Sequence, residues 1–388
     1  MIKILFAGGG TGGHIYPILA VAEELQKISI ERKIEIKLYY FGAPQNYQPI
    51  LAQNGIFVSK IFSAKLRRYF DFHNFLDIPF FFLSVFQALW KVFFLMPDVL
   101  FSKGGPGSLP VVFACWFYRV PVIIHESDSI PGLANKLAAR FAERIAISFA
   151  STAGLFFENI KNEENKIKKQ SRIALIGNPI RRSLMENQLE RGTAKRIFGF
   201  DERKPLIFVI GGSQGAIRIN DFILNASSEL VENWQIMHQT GANNFDDVKS
   251  ELNVISKNWP EEKKNCYKIV PYLEKDLKDA YAAADIVVSR AGSGSIFEIA
   301  AFGKPAILIP LPEAAADHQT ANAYEYAKEG AAIVIEQTNL GLNVFLTQLE
   351  KFFNESNKLN QVSSAAKKFA KLEAAKIIAE ELIKLGNK

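Results

Sequence analysis

Residues 2–25 read IKILFAGGGTGGHIYPILAVAEEL. An apolar, β-rich run enters a glycine cluster, and a segment with helical spacing follows, so the stretch predicts strand, turn and helix. The same order returns at residues 205–230, PLIFVIGGSQGAIRINDFILNASSEL. A tighter echo joins the two halves. DVLFSKGGPGSL at 98–109 aligns without a gap with DIVVSRAGSGSI at 285–296, which pairs Asp98 with Asp285, Ser102 with Ser289, Lys103 with Arg290, Gly105 with Gly292 and Ser108 with Ser295. Each copy leads through a helix to a Pro-led strand, VPVIIHE at 120–126 and KPAILIP at 304–310. The repeats predict an α/β chain with two parallel-sheet domains. Such sheets bind ligands beyond the carboxyl ends of their strands, so the glycine loops of both domains are expected to line one cleft.

The expected boundaries are 1–165 for the first domain, 166–362 for the second and 363–388 for a closing segment. The seam falls at KNEENKIKKQ (161–170), which is charged and unpatterned, as a linker or exposed loop would be. The tail SSAAKKFAKLEAAKIIAEELIKL (363–385) is an amphipathic helix whose apolar face closes the second domain or crosses back to the first. With 388 residues, 48% of them hydrophobic and 22% charged, the chain is a well-buried globular protein too long for one ordinary core. Its two cysteines, Cys115 and Cys266, support no disulfide framework and no metal cluster. The net charge of +6 favours anionic ligands or an anionic surface. The lysines are dispersed and no nucleic-acid-binding motif is present, so no nucleic acid is expected.

Glycines ahead of a helix let a phosphate approach unpaired N–H groups at the positive end of the helix dipole. Gly8–Gly13, Gly104–Gly107, Gly211–Gly215 and Gly292–Gly294 all fit, and four such loops in a repeated arrangement point to a phosphate or pyrophosphate ligand. A dinucleotide loop would need an acid about 20 residues further on. Here that strand, KIEIKLYYFG, ends at Tyr40, Phe41 and Gly42. No GK[ST] follows the glycines, which excludes a P-loop, and no Asp-x-Asp is present to clamp a metal. No cofactor and no metal site are therefore expected. Glu298, one turn into the helix after the fourth loop, is placed to hold the vicinal hydroxyls of a ribose. Of five histidines, His14, His125, His238 and His318 fall at expected strand ends or in these motifs, and His73 falls outside them. An imidazole titrates near neutrality and suits general-base work. His14 is the leading candidate and the pair His125 and Glu126 the second.

GGGTGGHIYPILAVAEEL, HESDSIPGLANK, GNPIR, GGSQGA, HQTG and SRAGSGSIFEIAAFGKPAILIPLPEAAADHQTANA occur here in the order in which they occur in MurG-type glycosyltransferases, the UDP-N-acetylglucosamine–N-acetylmuramyl-(pentapeptide) pyrophosphoryl-undecaprenol N-acetylglucosamine transferases. The resemblance extends from about residue 1 to 380. It implies two Rossmann-like domains facing a cleft, the GT-B type. It also implies an inverting, metal-independent transfer of GlcNAc from UDP-GlcNAc to the muramyl 4-hydroxyl of undecaprenyl-linked lipid I, giving lipid II for peptidoglycan synthesis. Carried over, donor contacts fall on Thr11, Gly12, Gly13, Asn135, Arg181, Ser213, Leu273, Ser293, Gly294, Ser295, Ile296, Phe297, Glu298 and Gln319. Acceptor contacts fall on Gly104, Gly105, Gly107 and Asp128. Asp128 replaces a frequent Asn, and GGPGSLP departs from the common GGYVSGP. Other readings on the same fold are a UDP-GlcNAc 2-epimerase, a glycolipid-forming transferase, or a non-enzymatic nucleotide-sugar-binding subunit.

A lipid acceptor draws attention to residues 65–96, KLRRYFDFHNFLDIPFFFLSVFQALWKVFFLM, with eleven aromatic residues. Charges interrupt it before the ~18 apolar residues of a membrane span are reached. Leu83, Phe86 and Trp90 recur at helical spacing and are expected in the core. The remaining apolar surface, bordered by Lys65, Arg67, Arg68 and Lys91, suits an interfacial patch that attaches the protein peripherally to the cytoplasmic face of the membrane.

Overall fold

A computed structural model describes residues 1–62, 73–105, 107–158, 160, 162–212, 215–355 and 357–387. Among them two all-parallel sheets form, one of seven strands and one of six. The first holds β1 (Ile2–Gly8), β2 (Ile36–Gly42), β3 (Ile56–Lys60), β4 (Val99–Ser102), β5 (Val122–Glu126), β6 (Arg144–Ile147) and β7 (Ile173–Leu175), in the order β3-β2-β1-β4-β5-β6-β7. The second holds β8 (Leu206–Ile210), β9 (Gln235–Gln239), β10 (Tyr267–Val270), β11 (Ile286–Ser289), β12 (Ala306–Leu308) and β13 (Ala332–Val334), in the order β10-β9-β8-β11-β12-β13. Central strands such as β4, β8 and β11 are buried along their whole length, because crossover helices cover both faces of a parallel sheet.

The order reverses between β1 and β4 in one sheet and between β8 and β11 in the other. The aligned segments 98–109 and 285–296 therefore occupy the same topological place in each sheet. Their aspartates do the same work: Lys3 N–H donates to Asp98 Oδ2 at 2.7 Å, and Leu206 N–H donates to Asp285 Oδ2 at 2.8 Å. In each case the carboxylate receives an N–H from the start of the neighbouring strand. Asp285 also pairs with Lys195 at 2.6 Å and Arg191 at 2.7 Å, and Lys195 is buried.

Two compact units result. One is Met1–Arg182 with Lys371–Lys388, and the other is Ser183–Ala370. The division at Arg182/Ser183 lies beyond the 165/166 read from the sequence, because residues 162–170 are a capped helix and not a linker. Glu163–Gln170 is a helix whose N-cap, Asn162, accepts from Asn165 N–H at 3.0 Å, and β7 behind it pairs with β6. The second boundary lies at Ala370/Lys371 rather than 362/363. The tail divides there into a helix Lys358–Phe369 in the second unit and a helix Ala374–Gly386 in the first. The latter packs on the Gly12–Arg32 helix, β1 and β4, and puts Ile378, Ala379, Leu382, Ile383 and Leu385 into the core that holds Ile4, Phe6, Leu19 and Leu25.

The helix His73–Leu95 reverses the expected face. Leu83, Phe86 and Trp90 are exposed, and the buried stripe is Ser84, Ala88 and Val92. Small side chains at four-residue spacing let the backbone sit close to the unit, which turns the large aromatic rings outward. Phe80, Phe82, Phe93, Phe94 and Met96 are exposed on the same segment, and Trp116 and Phe117 from the following helix. Lys65, Arg67 and Arg68 lie outside the described residues. No helix among the described residues is long and apolar enough to cross a membrane.

Candidate functional site

All four glycine loops leave the carboxyl ends of the strands that flank the order reversal, β1 and β4 in one unit and β8 and β11 in the other. That is where open α/β sheets bind ligands. The helices behind them begin at Gly12, Leu109, Ile217 and Ser293, after Thr11, Ser108, Ala216 and Gly292, and none of these N-cap residues supplies a side-chain hydrogen bond to its helix. First-turn N–H groups without a protein cap are the groups an anion can satisfy.

In the first unit Thr11 does not cap because its hydroxyl is bonded to His14 Nδ1 at 2.8 Å. The other ring nitrogen faces the second glycine loop: a Cβ on Gly105 would stand 3.2 Å from His14 Nε2 and 2.9 Å from Gly9 N. Gly104 and Gly105 have φ of 80° and 89°, and a Cβ on Gly104 would meet Asn135 Oδ1 at 2.7 Å, so two loops and the Leu133–Ala138 helix meet here without room for side chains. Tyr40, at the strand end where a dinucleotide-binding sheet carries its acid, is buried and donates its hydroxyl to Gly8 O at 2.9 Å. It braces the loop instead of holding a ribose. Arg181 lies over the Tyr16 ring, 4.5 Å from its centre.

Behind the loops is a buried polar cluster. Lys103 follows β4 and is 3% exposed; its ammonium group lies 2.8 Å from His125 Nδ1 and donates to Ser127 Oγ. His125 Nε2 is 2.9 Å from Gly177 O, which can only accept, so Nε2 carries the proton and Nδ1 accepts from Lys103. Both nitrogens of this fully buried imidazole are thereby occupied. Glu126 is occupied as well: it accepts from Asp128 N–H at 3.1 Å, Gly132 N–H at 2.9 Å and Asn135 Nδ2 at 3.0 Å. The pair His125 and Glu126, the second candidate for the base, thus organises the HESDS loop: both imidazole nitrogens and three of the carboxylate's acceptor sites are engaged within the protein.

The electrostatics agree. Burial, then the Lys103 charge, lowers His14 to about 4, with Asp128 acting in the opposite sense. Burial and Lys103 hold His125 well below its ordinary range. Burial raises Glu126, and the neighbouring Asp128 adds to this against the three hydrogen bonds. Burial lowers Lys103 to about 8, with Glu126 and Asp128 pulling the other way. At neutral pH the loop therefore presents a neutral His14 imidazole, with its affinity for a proton reduced by burial and by Lys103.

The second unit gathers Ser293, Gly294, Ser295, Ile296, Phe297 and Glu298 into one helix start. Ile296 and Phe297 are fully buried core residues, so only their backbone can face a ligand. Glu298 is half-buried and receives the Tyr281 hydroxyl at 3.1 Å. Gln319 Oε1 accepts from Leu311 N–H at 3.1 Å, which leaves its amide nitrogen as the donating end. Leu273 N–H is held by Gln239 Oε1 at 2.9 Å, so a base contact there falls to the carbonyl. Ser213 lies outside the described residues. His238 turns into the core, not to a ligand: its ring bonds Tyr267 Oη at 2.8 Å and Asn220 Oδ1 at 3.0 Å. Arg290 is buried too and donates to Ile309 O, Pro310 O and Gln337 Oε1. The sequence assigned no role to Lys103 or Arg290; their alignment in the repeat was the available signal.

Two doubly wound parallel sheets with glycine loops at both reversals are the fold, and the comparisons with known proteins supply the class. The N-terminal domain of glycosyltransferase family 28 matches residues 4–147 and its C-terminal domain residues 206–380, so the chain belongs to this family. A curated relative from Bacillus cereus, the UDP-N-acetylglucosamine–N-acetylmuramyl-(pentapeptide) pyrophosphoryl-undecaprenol N-acetylglucosamine transferase 2, is 35% identical over 98% of this chain and 99% of its own length. The enzyme of that name from Treponema denticola is 33% identical over 98% and 96%. Among solved structures, MurG of Acinetobacter baumannii superposes with a TM-score of 0.73 at 24% identity, covering 99% of this chain and all 100% of that one. A UDP-GlcNAc 2-epimerase from Neisseria meningitidis has the same fold, with a TM-score of 0.66 at 13% identity and coverage of 99% and 100%.

Proposed function

We propose that the chain is an inverting, metal-independent transferase that moves GlcNAc from UDP-GlcNAc to the muramyl 4-hydroxyl of undecaprenyl-linked lipid I, giving lipid II. The observation that carries this reading is the near full-length match to relatives bearing that activity in their names, 35% identical over 98% of the chain. His14 takes the proton of the attacking hydroxyl. The new bond forms at C1 of GlcNAc as the bond to the diphosphate breaks, and UDP leaves with the electron pair. Helix N-termini, with Arg181, stabilise its charge. Thr11, Gly12, Gly13, Asn135, Arg181, Ser213, Leu273, Ser293 to Glu298 and Gln319, as carried over, bind the donor. Gly104, Gly105, Gly107 and Asp128 bind the acceptor.

Incubation with UDP-GlcNAc and lipid I in detergent, with products identified by mass, tests this directly. Lipid II and UDP are expected. UDP-GlcNAc converted to its C2 epimer without acceptor would replace the transferase by an epimerase of the same fold, and binding without turnover would leave a nucleotide-sugar-binding subunit.

Donor recognition gives a finer test. Loss of a charged contact to the ribose costs about 2–3 kcal/mol, so Glu298→Ala is expected to raise the KM for UDP-GlcNAc roughly 30–150-fold. Gln319→Ala is expected to erode discrimination between UDP-GlcNAc and UDP-GalNAc. Unchanged donor kinetics in both folded variants would remove the assignment.

The same reading places the protein peripherally on the cytoplasmic face of the membrane. The exposed Phe80, Phe82, Phe86, Trp90, Phe93 and Phe94 support it. The protein is expected to sediment with anionic vesicles, to be released in part by high salt and not to resist carbonate. Replacing Arg67 and Arg68 with Glu is expected to weaken sedimentation without changing UDP-GlcNAc affinity. Absence of vesicle binding would overturn the docking surface.

A further inference from the structure

We propose that Lys103 is a positioning residue for the transfer: its ammonium group ties the strand ends around the second glycine loop into one fixed floor on which His14 and the HESDS loop are set. The inference rests on the reading of the first unit as the side that supplies the base. Lys103 N–H donates to Ala7 O at 2.8 Å, which fixes it to the end of β1 beside the first glycine loop. Its side chain reaches His125 and Ser127 beyond β5. From there the network runs to the segment after β7, through His125 Nε2 to Gly177 O at 2.9 Å and Ser127 Oγ to Asn178 Oδ1 at 3.0 Å. Main chain and side chain of one residue thus link four strand ends: its own β4, β1 through the backbone N–H, β5 directly through the ammonium group, and the segment after β7 at one remove, through His125 and Ser127.

A buried ammonium is a costly way to fill this space, and an apolar chain of the same length would fill it more cheaply. The internal repeat argues that the charge is there for its reach. The aligned Arg290 does the same in the second sheet: it leaves β11, is buried, and ties the end of β12 through Ile309 O and Pro310 O, with Gln337 Oε1 at 2.8 Å. The titratable and charged groups around Lys103 are His14, His125, Glu126 and Asp128. The two carboxylates favour its ammonium form. The ammonium in turn disfavours a proton on His14, so the residue that sets the floor also keeps the imidazole neutral.

Lys103→Met keeps the volume and removes the charge and both hydrogen bonds. In the full chain, with UDP-GlcNAc and lipid I in detergent, kcat is expected to fall about 10–100-fold, as for a displaced reacting group. The KM for UDP-GlcNAc is expected to hold within about twofold, since Glu298 and Gln319 are untouched. The acid limb of kcat is expected to move up in pH, because His14 regains affinity for a proton. Lys103→Arg keeps the charge, so it is expected to lose kcat through misfit while the limb stays in place. An unchanged kcat in Lys103→Met overturns the proposal. So does a loss equal at every pH, or a shifted limb in Lys103→Arg. Should Lys103→Met fail to fold, Lys103→Gln carries the same comparison. A wild-type chain that forms no lipid II would defeat the transferase reading itself, whereas a normal wild type with an indifferent Lys103→Met would defeat only the positioning role.

Discussion

His14→Ala is expected to lower kcat roughly 10²–10⁴-fold while UDP still binds, the usual contribution of a positioned general base. Nδ1 is engaged by Thr11 and Nε2 faces Gly105, so one ring nitrogen is left for the hydroxyl of the proposed acceptor. The base must be neutral to act. Because burial and Lys103 lower its pKa to about 4, the neutral form is present throughout the range above that and is lost only as the pH falls through about 4. The wild-type kcat is therefore expected to be flat between pH 5 and 7, with no limb at the ordinary histidine value of about 6.5. A limb there, or a His14→Ala variant that keeps most of its kcat, would return His14 to bracing the loop. His125 could not then take over without giving up Lys103 or Gly177.

The second large effect is on stability. Asp285→Ala is expected to cost about 3–5 kcal/mol, because it takes the counter-charge from the buried Lys195, whose ammonium keeps only the Lys204 carbonyl, and leaves Leu206 N–H without its acceptor. For a unit of this size that is a fall in Tm of about 6–20 °C, measured by calorimetry or circular dichroism. Lys195→Met on the Asp285→Asn background removes the stranded cation and keeps an acceptor for Leu206, and it is expected to recover much of the loss. A single variant within about 2 °C of wild type would mean that the Lys204 carbonyl alone suffices for the Lys195 ammonium.

Much of the architecture was legible because it is written in short-range chemistry. Glycine clusters at the ends of apolar runs, and a repeat that carries Asp98 and Asp285 to equivalent strand starts, specify two parallel sheets and the ends that bind. What was not legible depended on which face a residue takes. Leu83, Phe86 and Trp90 have the spacing of a core stripe, but so do Ser84, Ala88 and Val92 on the opposite side, and hydropathy favours the wrong one. Asn162 caps a helix in a stretch whose charges read as a linker. His125, His238 and His14 look alike as strand-end histidines. Only the partners separate the two that are locked inside from the one that faces a glycine loop, and those partners, Gly177, Tyr267 and Asn220, are distant in sequence.

The last helix, Ala374–Gly386, belongs to the first unit although the whole second unit separates it from the rest of that unit in the chain. On the ribosome this sets an order of events. The first 182 residues emerge with part of their core, the side occupied by Ile378, Leu382 and Ile383, still open to water. At ~5–20 residues per second the missing helix arrives about 10–40 s later, and the second unit can complete its own core in that interval. The unit translated first is the unit finished last. A nonsense mutation near residue 370 would release a protein whose lesion lies in its N-terminal half.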